Sequence, residues 1–162
     1  MSAALKPRED LVARRSARAT RFFLTGGTGF LGSHLAVALL KEGYRVCLLA
    51  RSLKAQSAEE RVSALLDWFG LPAEMRRRLR VVEGDITRPG LGVSPALLWE
   101  ILRQTDEIVH CASNTSFSER KRADVEAVNL DGLSRVLESS MASRAGFFHH
   151  VSTAFVAGVA TG

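Results

Sequence analysis

Cysteine, proline and tyrosine are scarce in this sequence, with 2 Cys, 4 Pro and 1 Tyr among 162 residues. Cys47 and Cys111 lie far apart, each inside an apolar run, which gives neither a disulfide framework nor metal-ligand spacing and points to a reducing, cytoplasmic compartment. No apolar run reaches the roughly 18 residues that a membrane-spanning helix needs, and no apolar segment follows the basic residues near the N-terminus. A soluble chain with no membrane span is therefore expected. No group of His, Cys, Asp and Glu has the spacing of a metal site, and no G-x-S-x-G elbow surrounds Ser152 to support a hydrolase triad with His149 or His150.

What remains is ordinary globular composition, 46% hydrophobic and 24% charged, at the length of one domain. The net charge of +5 invites a nucleic-acid partner until it is divided along the chain. Lys6, Arg8, Arg14, Arg15, Arg18 and Arg21 stand against only Glu9 and Asp10, so the excess sits in the first 21 residues and the rest is nearly neutral. Residues 1–20 read as a basic, flexible leader or linker, and no nucleic-acid partner is expected.

From Arg21 onward, short apolar runs alternate with longer amphipathic stretches, the pattern of a parallel α/β sheet. Arg21–Thr25, Arg45–Ala50, Leu79–Glu83, Glu107–Cys111 and Phe147–Ser152 read as strands buried on both faces. Leu31–Glu42, Ala58–Phe69, Pro95–Arg103 and Arg122–Ser143 read as helices. Leu31, Leu35, Leu39 and Leu40 are expected on the buried face of the first, with Gly43 stopping it. Trp68 and Phe69 are expected to pack in the core, His34 to make ordinary packing contacts on the first helix, and His149 and His150 to pack in the core or on a sheet face. Arg76, Arg77, Arg78 and Arg80 read as a solvated face.

The first strand runs directly into Thr25-Gly26-Gly27-Thr28-Gly29-Phe30-Leu31-Gly32 and a helix. A glycine-rich strand-to-helix turn lets backbone N–H groups approach a pyrophosphate, to which the helix N-terminus adds partial positive charge. Gly26 would make the tight turn, Gly29 the close approach and Gly32 the helix–strand contact. Ser33 follows Gly32 where a phosphate-binding P-loop needs Lys. After the second strand, where an acidic residue would read the ribose of NAD, stand Arg51 and then Lys54, with no Asp or Glu from Arg45 to Ala58. That favours the 2′-phosphate of NADP(H). The other strands end in Gly84-Asp85-Ile86, in His110-Cys111-Ala112-Ser113 and in Ser152-Thr153-Ala154. Such clusters, Cys111 among them, fall where open parallel sheets bind ligands.

Together with Pro89-Gly90-Leu91-Gly92, Val128-Asn129-Leu130-Asp131-Gly132 and the run His150 to Val156, these motifs resemble the extended short-chain dehydrogenases/reductases, and within them the thioester reductase and fatty acyl-CoA reductase group. The resemblance covers Arg21 to Gly162. It implies a Rossmann-type doubly wound sheet of order 3-2-1-4-5, NADP(H) as cofactor, and an acyl-CoA or acyl-carrier-protein thioester reduced to an aldehyde or alcohol. Asp85 and Ile86 would meet the adenine, and Ala112 and Ser113 would line the cofactor. Thr153, with Ser152 beside it, would hydrogen-bond the reacting carbonyl oxygen, and Asn129 would maintain the architecture of the site. Members of this family also carry a Tyr acid with a Lys four residues later. Here the single tyrosine is Tyr44, with Leu48 four residues on. The pair is expected beyond Gly162 and the sheet is expected to be incomplete. A non-catalytic NADP-binding or sensor module is the alternative.

Overall fold

The structure is a computed structural model and describes residues 20–152. The leader up to residue 19, and Thr153 with everything after it, lie outside the described residues. Five parallel strands, β1 (Arg21–Thr25), β2 (Arg45–Ala50), β3 (Leu79–Glu83), β4 (Glu107–His110) and β5 (Phe147–His150), form one sheet in the order β3-β2-β1-β4-β5. This is the Rossmann-type doubly wound order expected from the sequence. Chain direction across the sheet reverses between β1 and β4, so a crevice opens at their carboxyl ends.

Period-two alternation distributes the apolar residues to two cores. Phe22, Leu24, Val46, Leu48 and Val109 face one side, where they meet Ala36, Val37 and Leu40 of α1 (Phe30–Lys41) and Val62 and Leu66 of α2 (Ala58–Trp68). Phe23, Leu49, Val82 and Ile108 face the other, against Ile101 of α4 (Pro95–Gln104) and Val136 of α6 (Leu133–Met141). Between them in sequence lie two short helices, α3 (Ala73–Arg76) and α5 (Arg122–Glu126). Ser57 starts α2 with a reciprocal capping box to Glu60, and Gly43, at φ +88°, turns the chain out of α1.

Several expectations need correction. Of the leucines expected on the buried face of α1, Leu40 is fully buried and Leu35 and Leu39 pack partly buried against the core, but Leu31 is 53% exposed, and Gly32, Ser33, Ala36 and Val37 complete the buried face. At Gly32 the helix lies so close to the glycine turn that a larger side chain would not fit. Trp68 is 74% exposed, its ring edge-on to Phe69, which packs partly buried against the core as expected. β4 and β5 stop at His110 and His150, short of Cys111 and Ser152, and β5 is an edge strand, largely exposed, carrying His149 and His150 out of the core. The helix read as Arg122–Ser143 is interrupted by a π-helical turn, Ala127–Gly132, between α5 and α6. The basic run is more than a solvated face: Arg76 pairs with Asp67, Arg80 with Glu100, and Arg78 donates to the carbonyl of Leu40.

Candidate cofactor site

β1 passes into the crevice at Thr25. Gly26, at φ +75°, makes the turn, and a Cβ there would fall on the backbone of Cys111 and Ala112 at the end of β4. The Gly29 amide donates to the Gly26 carbonyl over 3.0 Å, closing the turn, and α1 begins at the next residue. Gly32 then presses on the Gly26 carbonyl, which leaves no room for a Cβ. Gly29 behaves differently: its Cβ would meet only the Gly26 oxygen, at 3.3 Å, and so would stand in the crevice. The helix has no side-chain cap and no acidic residue in its first turn, which leaves its N-terminal amides and positive dipole end available to an anion.

A cavity of about 240 Å³ lies at this point, bounded by Thr25, Gly26, Thr28, Gly29, Arg51, Gly84, Ile86, Cys111, Ala112 and Ser113, with Leu49, Ala50 and Val128. A second cavity of about 340 Å³ adjoins it, sharing Arg51 and Gly84 and adding Asp85 and Arg88. The structure thus brings together most of the residues singled out from the sequence. Gly27 is turned into the protein, where a Cβ would strike the Leu48 side chain. Phe30 and Leu31 expose their side chains on the first turn of α1, and Lys54, at φ +51°, sits in the turn after β2 outside both cavities. Asn129 stands behind the crevice on the π-helical turn. Its Oδ1 accepts from the Asn114 amide and the Ser113 hydroxyl, and its Nδ2 donates to the Asn114 carbonyl, clamping the loop after β4. Ser152 is exposed past the end of β5.

Two cations escaped the sequence reading. Arg61, one turn into α2, donates from Nη1 to the carbonyl of Arg51 and so braces the end of β2. Arg88 lines the second cavity together with Arg51. The Ser57 cap was the available signal for Arg61, because it fixes where the first turn of α2 returns toward β2. Arg88 carried no signal beyond lying close after Asp85. Between the two cations Asp85 Oδ2 lies 3.7 Å from Arg51 Nη1, while its Oδ1 accepts from the amide and hydroxyl of Thr87. Partial burial opposes ionisation of Asp85, but the Thr87 hydrogen bonds, then Arg51 and Arg88, together hold its carboxyl below the usual range.

Beneath the glycine turn, His110 is almost fully buried and its Nδ1 lies 2.7 Å from the Thr25 hydroxyl, tying β4 to the last residue of β1. His150 stacks on it at 5.4 Å. Burial, then the neighbouring His150, push the His110 imidazole down to about 4. The unfolded chain takes up this proton near pH 6.5 and the folded chain near 4, so stability falls as pH drops between those values. His110→Asn is expected to flatten that part of the profile, removing up to about 3 kcal/mol of acid sensitivity, as read by urea midpoints from pH 7 to 4.

With this geometry in hand, the comparison with known proteins is direct. A family model of an NAD-binding domain, described as male sterility protein, matches residues 24–162. The chain belongs to this family. It is 30% identical over 145 residues to the fatty acyl-CoA reductase wat of Drosophila melanogaster, covering 82% of this chain and 27% of that protein. It is 33% identical over 147 residues to an isonitrile lipopeptide synthase of Streptomyces coeruleorubidus, covering 89% of this chain and 10% of that one. Among solved structures, the terminal R domain from the myxalamid PKS-NRPS biosynthetic pathway superposes with a TM-score of 0.72 at 28% identity, covering 85% of this chain and 36% of that domain. The chain thus matches the NAD-binding part of extended short-chain dehydrogenase/reductase-like proteins, and spans about a quarter of the fly protein's length.

Proposed function

We propose that this male sterility family chain is the NADP(H)-binding portion of a reductase that delivers hydride to an acyl thioester carried on CoA or a carrier protein. The observation that carries the choice of NADP(H) is Arg51 at the carboxyl end of β2, its carbonyl held by Arg61, lining both the cavity at the glycine turn and, with Arg88, the one beside it. An acidic residue at the end of β2 would repel a 2′-phosphate, whereas guanidinium groups match its oxygens. Asp85 brings one negative charge beside Arg51, against the two positive charges of Arg51 and Arg88.

The residues present fit a dinucleotide. Gly26, Thr28 and Gly29, with the uncapped start of α1, would hold the pyrophosphate. Arg51, with Lys54 near it, would meet the 2′-phosphate, Asp85 and Ile86 the adenine side, and Cys111, Ala112 and Ser113 the wall beside β4. When bound, the cofactor supplies the hydride. The chain's part is to orient the substrate and to place Thr153, with Ser152 beside it, where a hydroxyl can donate to the carbonyl oxygen as it gains negative charge. Tyr44 cannot supply the proton from here: it packs edge-on against Phe22 before β2, at the opposite end of the strands from the crevice. The alternative reading is a nucleotide-binding module without turnover. Sequencing the parent transcript past Gly162 separates the two, since a Tyr-x-x-x-Lys supports the reductase and its absence the module. A cytoplasmic setting suits both.

The cofactor reading is tested by titrating the chain with NADPH and with NADH. NADPH is expected to bind at least about tenfold more tightly, the worth of one charge-assisted contact, and Arg51→Ala to erase the difference. Equal affinities in the unaltered chain overturn the assignment.

A further inference from the structure

Between β3 and α4 the chain makes a turn, Pro89–Gly92, in which Gly90, Leu91 and Gly92 all lie in the left-handed region, at φ +60°, +58° and +68°. Glycine enters that region freely, but a leucine there is strained. Lys54, the other such residue among those described, sits in an exposed turn, whereas Leu91 is fully buried. A strained backbone persists only where its surroundings hold it. The Leu91 side chain belongs to the core that includes Phe23, Ile86 and Val136. Its amide donates to the Arg88 carbonyl over 3.0 Å, and its carbonyl accepts from the Asp85 amide over 2.7 Å.

At Asp85 this turn meets the cofactor site. A Cβ at Gly84 would lie 2.5 Å from the Leu91 oxygen, so the turn and the end of β3 touch with no room for a side chain. Gly84 also lines both cavities of the crevice, and Asp85 lines the second. A buried leucine alone needs no left-handed backbone. At an ordinary φ, either the Leu91 side chain would leave the core or its carbonyl would turn away from Asp85, and the observed conformation keeps both contacts. The Asp85 carboxylate is in turn committed on one side only: Thr87 holds Oδ1, which leaves Oδ2, 3.7 Å from Arg51 Nη1, as the oxygen available to a donor on a ligand.

We propose that Leu91 and Gly92 are positioning residues for recognition of the cofactor's base: the left-handed turn fixes the Asp85 backbone so that Oδ2 accepts from the exocyclic amine of adenine and disfavours a purine with an oxygen there. This rests on the cofactor reading above, in which Asp85 meets the adenine. An amine donates to a carboxylate, whereas an oxo group in its place sets two acceptors against each other. Such discrimination depends on where Oδ2 stands, because a hydrogen bond weakens steeply as its distance and angle depart from the optimum.

Two glycines of the turn make a matched test. Gly90 and Gly92 share the left-handed conformation, so alanine at either imposes a similar backbone strain. A Cβ at Gly90 meets nothing within 4 Å, whereas one at Gly92 lies 3.1 Å from the Asp85 nitrogen and must displace it. It also touches the Arg88 side chain at 3.4 Å, which is exposed and can swing aside. The chain is titrated with NADPH and with reduced nicotinamide hypoxanthine dinucleotide phosphate, which carries an oxygen in place of the adenine amine. The unaltered chain and Gly90→Ala are expected to prefer NADPH by at least about tenfold, the worth of one hydrogen bond to a charged group. In Gly92→Ala the preference is expected to fall to within about twofold, with affinity for the hypoxanthine form nearly unchanged. General damage to the fold would weaken both ligands together, so the ratio isolates positioning. Gly92→Asn repeats the measurement in a residue that tolerates the left-handed region, should melting curves show the alanine variant unfolded. Asp85→Asn is expected to erase the preference, since an amide can accept from the amine or donate to the oxygen. Equal affinities in the unaltered chain, a preference kept in the Gly92 variants or in Asp85→Asn, or an equal loss in Gly90→Ala, each overturns the proposal and leaves the cofactor reading intact. No binding of either dinucleotide to the unaltered chain overturns both.

Discussion

Gly32→Ala is expected to impair both stability and nucleotide binding. The new methyl group would overlap the Gly26 carbonyl oxygen and lie 2.8 Å from the Gly26 carbonyl carbon and 3.0 Å from Gly27 Cα. These are backbone atoms of a turn closed by its own hydrogen bond, so no side chain can swing aside. α1 must instead shift along the sheet, at a cost of about 1–3 kcal/mol typical of overpacking. The same shift carries the first-turn amides of α1 away from the Gly26–Gly29 turn, and loss of two or three such contacts lowers nucleotide affinity by about 100-fold. Gly29→Asp separates the two effects. At Gly29 a Cβ meets only one atom, at 3.3 Å, so the melting temperature stays near that of the unaltered chain while a carboxylate at the anion site removes binding. Thermal melts combined with NADPH titration of both variants distinguish a loop that must approach a ligand from one that is merely a turn. Equal behaviour of Gly32→Ala and the unaltered chain contradicts the packing described here.

The largest loss of stability is expected from Phe23→Ala. Phe23 is 1% exposed on the central strand, within the core that holds Leu49, Ile86, Leu91, Ile108 and Val136. Truncating a buried Phe removes its transfer free energy and leaves a cavity that a central strand, hydrogen-bonded on both sides by β2 and β4, cannot collapse to fill. About 3–5 kcal/mol is expected, a large part of the stability of a small domain. Ile86 packs in this core and also lines the cofactor crevice, so whatever variant remains folded should bind nucleotide more weakly. Phe117, 95% exposed, is the control, and Phe117→Ala should change stability by no more than about 0.5 kcal/mol. Urea midpoints of the two variants test the contrast. Similar losses in both would contradict the assignment of the core.

The parts of this fold that were legible in the sequence are those fixed by local pattern. The bounds of β1, β2 and β3 follow from short apolar runs between turn residues, and the start of α1 follows from the glycine turn that precedes it. The parts that were hidden depend on contacts distant in sequence. Nothing in Arg122 to Ser143 announces a π-helical turn, because its partner is the loop at Asn114, fifteen residues before Asn129. On α1 the leucine spacing found Leu35, Leu39 and Leu40 on the core side but misplaced Leu31, and it could not show that the close approach to Gly26 requires Gly32. Within the site, Arg51 and the glycines could be named from motif and position. Arg88 could not, since only the fold brings it to the cavity that Arg51 lines.

The central claim, that the carboxyl-end crevice holds a nicotinamide dinucleotide, is tested most directly by hydrogen exchange of the chain with and without saturating NADPH. Protection is expected at the glycine turn and first turn of α1, at Arg51 to Lys54, at Gly84 to Arg88 and at Cys111 to Asn114, with the amino ends of the strands unchanged. Protection absent from the glycine turn, or confined to the opposite end of the sheet, would contradict it.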